Sequence, residues 1–202
     1  GVALPRPLDY MQREAREVLP RVLDALGIRH GVLVGHSDGA SIALIHAGSF
    51  QDRRARGIAL LAPHVMVEPF CIAEIERARE HRHATDLRAR MARYHRDPDA
   101  AFLGWNGAWL DPGFPAVLDL QPEIAHVRVP ILVVQGEADP YGTLEHLLII
   151  EHETYCPVDR LVLPGIGHAP HLEAPGPTLD AIADFATRIF RLHEAVTPGP
   201  AR

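Results

Sequence analysis

Lysine is absent. All 20 basic residues are arginine, set against 26 acidic ones, and the 202-residue chain carries a net charge of −6. That balance excludes the basic footprint of a nucleic-acid binder, and the all-arginine usage reads as GC-rich coding bias. Cysteine is nearly as scarce: Cys71 and Cys156 are too few for a disulfide framework and read as reduced thiols of a cytoplasmic protein. No uninterrupted apolar run approaches membrane-spanning length, and no basic-then-apolar signal pattern opens the chain, so no membrane partner is expected. Internal repeats and low-complexity segments are missing too. The first residue is Gly1, not Met, which reads as a fragment of a longer protein.

What remains is ordinary globular composition, 47% hydrophobic and 23% charged, enough for one domain or one domain with an insertion. Apolar residues at Met11, Ala15, Val18, Leu19, Val22, Leu23 and Leu26 form a helical stripe, with a kink or break expected at Pro20 and a stop at Gly27. Short buried strands are predicted over Gly31 to Val34, Gly57 to Leu61, Val129 to Gln135 and Arg160 to Leu163. A closing helix is predicted over Leu179 to Leu192, and the Pro/Gly-rich tail 196–202 reads as disordered. Strands alternating with helices indicate an α/β fold with a parallel sheet and helices on both faces. The core is expected over 1–63 and 128–195, interrupted by a helical insertion over 64–127 at the C-terminal edge of the strands, where ligand crevices open.

Gly35-His36-Ser37-Asp38-Gly39 carries the most information. It ends the run Val32-Leu33-Val34 and opens the Ala-rich stretch Ala40 to Phe50. Read physically, a strand meets a helix at a sharp turn with a serine at its apex, and the flanking glycines permit the strained backbone. The helix N-terminus offers N–H groups and a positive dipole end to a developing oxyanion. Gly-x-Ser-x-Gly alone arises by chance in roughly one chain in fifteen of this length; the strand and helix around it are what strengthen it.

A nucleophilic serine needs a base, and the base needs an orienting carboxylate. The third strand ends in Gln135-Gly136-Glu137-Ala138-Asp139-Pro140-Tyr141-Gly142, with two acids just past it. The fourth runs into Pro164-Gly165-Ile166-Gly167-His168-Ala169-Pro170-His171. Serine, acid and histidine therefore follow separate strands in that order.

Each position has a plainer reading. Ser37 is also a good helix cap, Asp139 a turn residue before Pro140 with Glu137 as competitor, and His171 competes with His168. His168, His171 and Glu173 have metal-ligand chemistry but match no recognised spacing. His36 lines a pocket or packs under the sheet. Asp38 attracts a cationic substrate group or serves as a first-turn acid. His64 reaches the pocket mouth or sits on a surface loop. Trp105 and Trp109, at helical spacing, pack together or wall an acyl pocket. The charge run Glu74 to Arg96 reads as a solvated helix face.

On its elbow, acid loop and histidine loop, the chain resembles the α/β-hydrolase superfamily, in particular capped bacterial hydrolases with a Gly-His-Ser-Asp-Gly elbow. The resemblance runs from the elbow to the C-terminus. It implies Ser37 as nucleophile, Asp139 as acid, His168 as general base and the Asp38 backbone N–H as one oxyanion donor. It makes the insertion a cap and implies a small ester, amide, lactone or activated C–C bond as substrate, with no metal or organic cofactor. Dehalogenases of the same fold fit less well, because their nucleophile is an aspartate. The chain departs from the family ahead of the elbow. Members carry several strands there, and a loop on one supplies the second oxyanion N–H, whereas this chain has room for a single helix. By usual element lengths, the family pattern leads one to expect about 60–80 further residues ahead of the elbow. The alternative is therefore a non-catalytic remnant, self-associating through the open edge of the Val32 strand.

Overall fold

A computed structural model describes residues 4–196, so the predicted tail falls outside it but for its first residue. Among the described residues four strands form one sheet: β1 (Gly31–His36), β2 (Ala55–Leu61), β3 (Ile131–Gly136) and β4 (Val158–Leu163). They are parallel and stand in the order β1-β2-β3-β4. Successive strands are therefore neighbours throughout, although the β2–β3 connection carries all the helices from Pro69 to Ile124. β3 is buried from end to end, whereas β1 has a neighbour on one side only and leaves Val34 53% exposed.

Strand alternation sorts the apolar side chains onto two faces. Ala59, Leu61, Leu132, Val134 and Leu163 pack with Phe185 and Ile189 of the closing helix, Pro175–Val196. The fully buried Ile58, Leu60, Ile131 and Val133 alternate with them and point the other way. On that side lies the Asp38–Ser49 helix, with Gln121–Ile124 against it. The contact is backbone-close, for a Cβ at Gly48 would overlap the Glu123 carbonyl.

The helical stripe before β1 is one rod with a defect. Tyr10–Arg13 is α-helical, Glu14–Val18 is a π-helical turn, and Leu19–Ala25 is α-helical again. The Leu19 N–H reaches back to the Glu14 carbonyl. Pro20, which has no N–H to give, stands in the first turn after this widened stretch, so the predicted break is absorbed as a bulge.

The chain divides into two compact units, Met11–Val65 with Leu120–Arg202, and Met66–Asp119 with the segment up to Tyr10. The first holds the sheet. The second is helical: Pro69–Ala84, Leu87–Met91, Pro98–Trp109 and Phe114–Val117. It is narrower than the 64–127 insertion read from sequence, because Val65 and Leu120 stay with the sheet unit, joined by Leu120 N–H to the Val65 carbonyl at 3.0 Å. Within the helical unit the charge run is more than a solvated face. Arg79 Nε donates to Asn106 Oδ1 at 2.8 Å, and Arg82 pairs with Asp99 while lying over the Phe102 ring. Trp109 is 2% exposed, packs at a tilt against Phe114 and donates its indole N–H to the Tyr10 hydroxyl. An indole so enclosed packs as a core residue of this unit. Trp105 is half-buried against Phe102 in the same unit. No helix among the described residues is long and apolar enough to cross a membrane.

Candidate active site

β1 runs straight into Ser37, whose backbone sits at φ 55°, ψ −124°. A non-glycine residue held there stores about 1–3 kcal/mol of strain, and the structure must hold the turn from both sides. It does so with Ser37 N–H donating to the Leu61 carbonyl at 2.9 Å, and with the N–H groups of Ala40 and Ser41 returning to the Ser37 carbonyl. Gly35 makes the turn sterically possible, since a Cβ there would overlap the Gly39 carbonyl. Asp38 follows at the first position of the Asp38–Ser49 helix, so its backbone N–H stands at the positive end of the helix dipole.

The loops after β3 and β4 meet in the same way. A Cβ at Gly136 would overlap the carbonyl oxygens of Ile166 and Gly167. Glu137 N–H donates to the Leu163 carbonyl and Ala138 N–H to the Ile166 carbonyl. This close approach brings the acid loop and the histidine loop together. His168 Nδ1 lies 3.0 and 2.9 Å from the two oxygens of Asp139, and its Nε2 lies 2.9 Å from Ser37 Oγ. A carboxylate facing Nδ1 fixes the proton there and leaves the Nε2 lone pair to accept from the serine hydroxyl. Of the competing residues, Glu137 is exposed, and the His171 ring packs on His36.

Asp139 is 8% exposed, yet its charge is well served. Its Oδ1 accepts from the Tyr141 N–H at 2.8 Å, and its Oδ2 accepts from Gln135 Nε2 at 2.9 Å. Burial pushes its carboxyl upward, but the bonds from His168, Tyr141 and Gln135 outweigh that and hold it below the usual aspartate value. The sequence pointed to Asp139 but gave Gln135 no task. The available signal was an amide ending the apolar run Ile131 to Val134.

Histidines surround the site. His36, half-buried, donates from Nε2 to the His168 carbonyl at 2.6 Å, and burial lowers its pKa. His64 is 2% exposed, so it does not sit on a surface loop. It lies instead between the His146 and His168 rings, at 5.3 and 5.6 Å. Burial drives its pKa well down, and the two neighbouring histidines add to the effect. Among the described residues no group of three or more His, Cys, Asp or Glu is arranged to hold a metal ion. Both Glu173 oxygens are taken by backbone N–H groups of Gly167 and Ala169. Cys71 is buried, and the Cys156 thiol donates to the Val127 carbonyl.

None of the curated proteins matches the chain in sequence. Solved structures do match it in fold. E-2-(acetamidomethylene)succinate hydrolase superimposes with a TM-score of 0.65 at 21% identity, over 92% of this chain and 75% of its own. Proline iminopeptidase from Mycobacterium smegmatis gives 0.66 at 18%, over 95% and 77%. A thermophilic esterase from Thermogutta terrifontis gives 0.65 at 22%, over 94% and 74%. The sequence itself matches the model of the alpha/beta hydrolase family over residues 1–181, and the chain belongs to that family.

Proposed function

We propose that the chain is a serine hydrolase of a small ester, amide, lactone or activated C–C bond. The observation that carries the reading is the unbroken line from Ser37 Oγ through the His168 ring to Asp139, each step 2.9 Å long. Ser37 Oγ attacks the substrate carbonyl carbon while its proton passes to His168 Nε2. Asp139, kept ionised by its other hydrogen bonds, orients the ring and stabilises the imidazolium. The oxyanion takes the Asp38 N–H at the helix start. Collapse expels the leaving group, which receives the proton from Nε2, and water then releases the acyl group by the same route in reverse. The hydrolase, peptidase and esterase names among the fold neighbours support hydrolysis as the reaction class and leave the substrate open.

A fluorophosphonate probe tests the assignment. The folded wild-type chain should be labelled, Ser37→Ala should not, and p-nitrophenyl ester turnover should fall by about 10⁴-fold or more in that variant. A folded wild-type chain that resists labelling would overturn the proposal in favour of a non-catalytic member of the fold.

A further inference from the structure

We propose that Glu173 is a positioning residue for His168, its carboxylate bridging the peptide N–H groups on either side of that histidine. Oε2 accepts from the Gly167 N–H at 2.8 Å and Oε1 from the Ala169 N–H at 2.9 Å. His36 holds the carbonyl of His168 itself, at 2.6 Å. The Gly167 N–H, the His168 carbonyl and the Ala169 N–H are thus all held by side chains.

Holding the peptide planes before and after one Cα fixes the direction of its Cα–Cβ bond. The imidazole is then aimed between Asp139 and Ser37 before any substrate arrives. A simple capping role accounts for half of this. Ala169 precedes the short helix Pro170–Glu173, and a carboxylate bonded to its N–H resembles an ordinary cap. The Gly167 N–H lies ahead of that helix and belongs to no cap, so the second oxygen serves the loop. The chemistry calls for a carboxylate. An amide offers one acceptor and would turn a donor toward the other N–H. The Ala169 and Gly167 N–H groups hold the Glu173 carboxyl below its ordinary value, which keeps both oxygens as acceptors at neutral pH.

The kinetic consequence rests on the serine-hydrolase reading; the structural one does not, and the two are read separately. Glu173→Gln and Glu173→Ala are compared with wild type by NMR of histidine-¹⁵N protein, by amide exchange at Gly167 and Ala169, and by ester kinetics. In both variants the low-field proton on His168 Nδ1 should broaden or vanish; both amides should exchange faster in Glu173→Ala, and at least one of them in Glu173→Gln. The kcat should fall by ten- to a hundredfold, about what a misplacement near 1 Å costs, with KM little changed. Glu173→Gln keeps size and shape and guards against a variant that simply unfolds. A residue that only caps the helix would lower the melting temperature and leave the Nδ1 proton in place. An unchanged Nδ1 proton and kcat in folded Glu173→Gln would overturn the clamp. If the variants lose the Nδ1 proton while wild type resists the fluorophosphonate, the clamp stands and the hydrolase reading falls.

Discussion

Gln135 and Asp139 are joined across the end of β3: the buried amide Nε2 donates to Asp139 Oδ2 at 2.9 Å and to the Gly142 carbonyl at 3.2 Å. One side chain at a strand terminus therefore closes the acid loop and orients its carboxylate. Replacing it with leucine keeps the volume and removes the donor. Gln135→Leu should lower kcat about tenfold, equivalent to about 1.4 kcal/mol of transition-state stabilisation. Gln135→Glu should be worse, since two facing carboxylates favour sharing a proton and weaken the charge that steadies the imidazolium. Steady-state kinetics on an activated ester checks the ranking, and a Gln135→Leu enzyme with wild-type kcat would rule out an orienting role.

Gly136 is where the acid and histidine loops touch, and it has no room for a methyl group against the Ile166 and Gly167 carbonyls. Backbone cannot swing aside as a flexible side chain would. Gly136→Ala should therefore destabilise the fold by about 1–3 kcal/mol, the usual cost of overpacking, and should depress activity beyond what stability alone explains, because the displaced segment carries His168. Urea denaturation with kinetics on the folded fraction separates the effects; a neutral substitution would mean that the loops do not press together in solution.

Much of this architecture is legible in the sequence because it is local. The strands show as short apolar runs, and the elbow announces itself through glycines on either side of Ser37. Strand ends differ from the pattern by a residue or two in either direction: β2 begins at Ala55, not Gly57, and β3 at Ile131, not Val129. The residues that missed their expected places depend on neighbours far away in the chain. His64 is buried by His146 and His168, more than 80 residues downstream. Trp109 is enclosed by Tyr10 from the N-terminal segment. The tasks of Gln135 and Glu173 exist only as hydrogen bonds, which composition and periodicity do not encode. Pro20 gave the correct location of a helix defect, but its form, a π-helical turn, depends on where the Leu19 N–H finds a partner.

His64 gives stability a pH dependence of known sign. Burial holds its folded-state pKa well below 6.5, while in the unfolded chain it titrates near 6.5. The unfolded state thus binds the proton first, and the favourable difference, complete above pH 6.5, is lost as pH falls toward the folded value. Wild-type stability should begin to decline below about pH 6.5. His64→Gln should give a shallower slope over the same range, whatever its absolute stability. Denaturation midpoints measured between neutral pH and pH 5 decide it, and parallel slopes would mean that His64 is not buried neutral.

Asp52 works in the opposite corner of the sheet unit, before β2. Both its oxygens bond Arg54, its Oδ1 also accepts from the Arg54 backbone N–H, and its Oδ2 lies 3.2 Å from His46 Nε2. The Arg54 side chain is the main reason its carboxyl is held at about 2, below the ordinary aspartate value. A depressed folded pKa contributes stability that is complete above the unfolded value and lost as pH falls through the folded one. Asp52→Asn should therefore cost about 1 kcal/mol at pH 7, once solvent screening of the partly exposed Arg54 is allowed for. The gap between the two proteins should hold down to about pH 4 and close as the pH approaches 2. Equal stabilities at pH 7, or a gap that persists unchanged to pH 2, would show that the carboxylate's charge is not what ties this turn together.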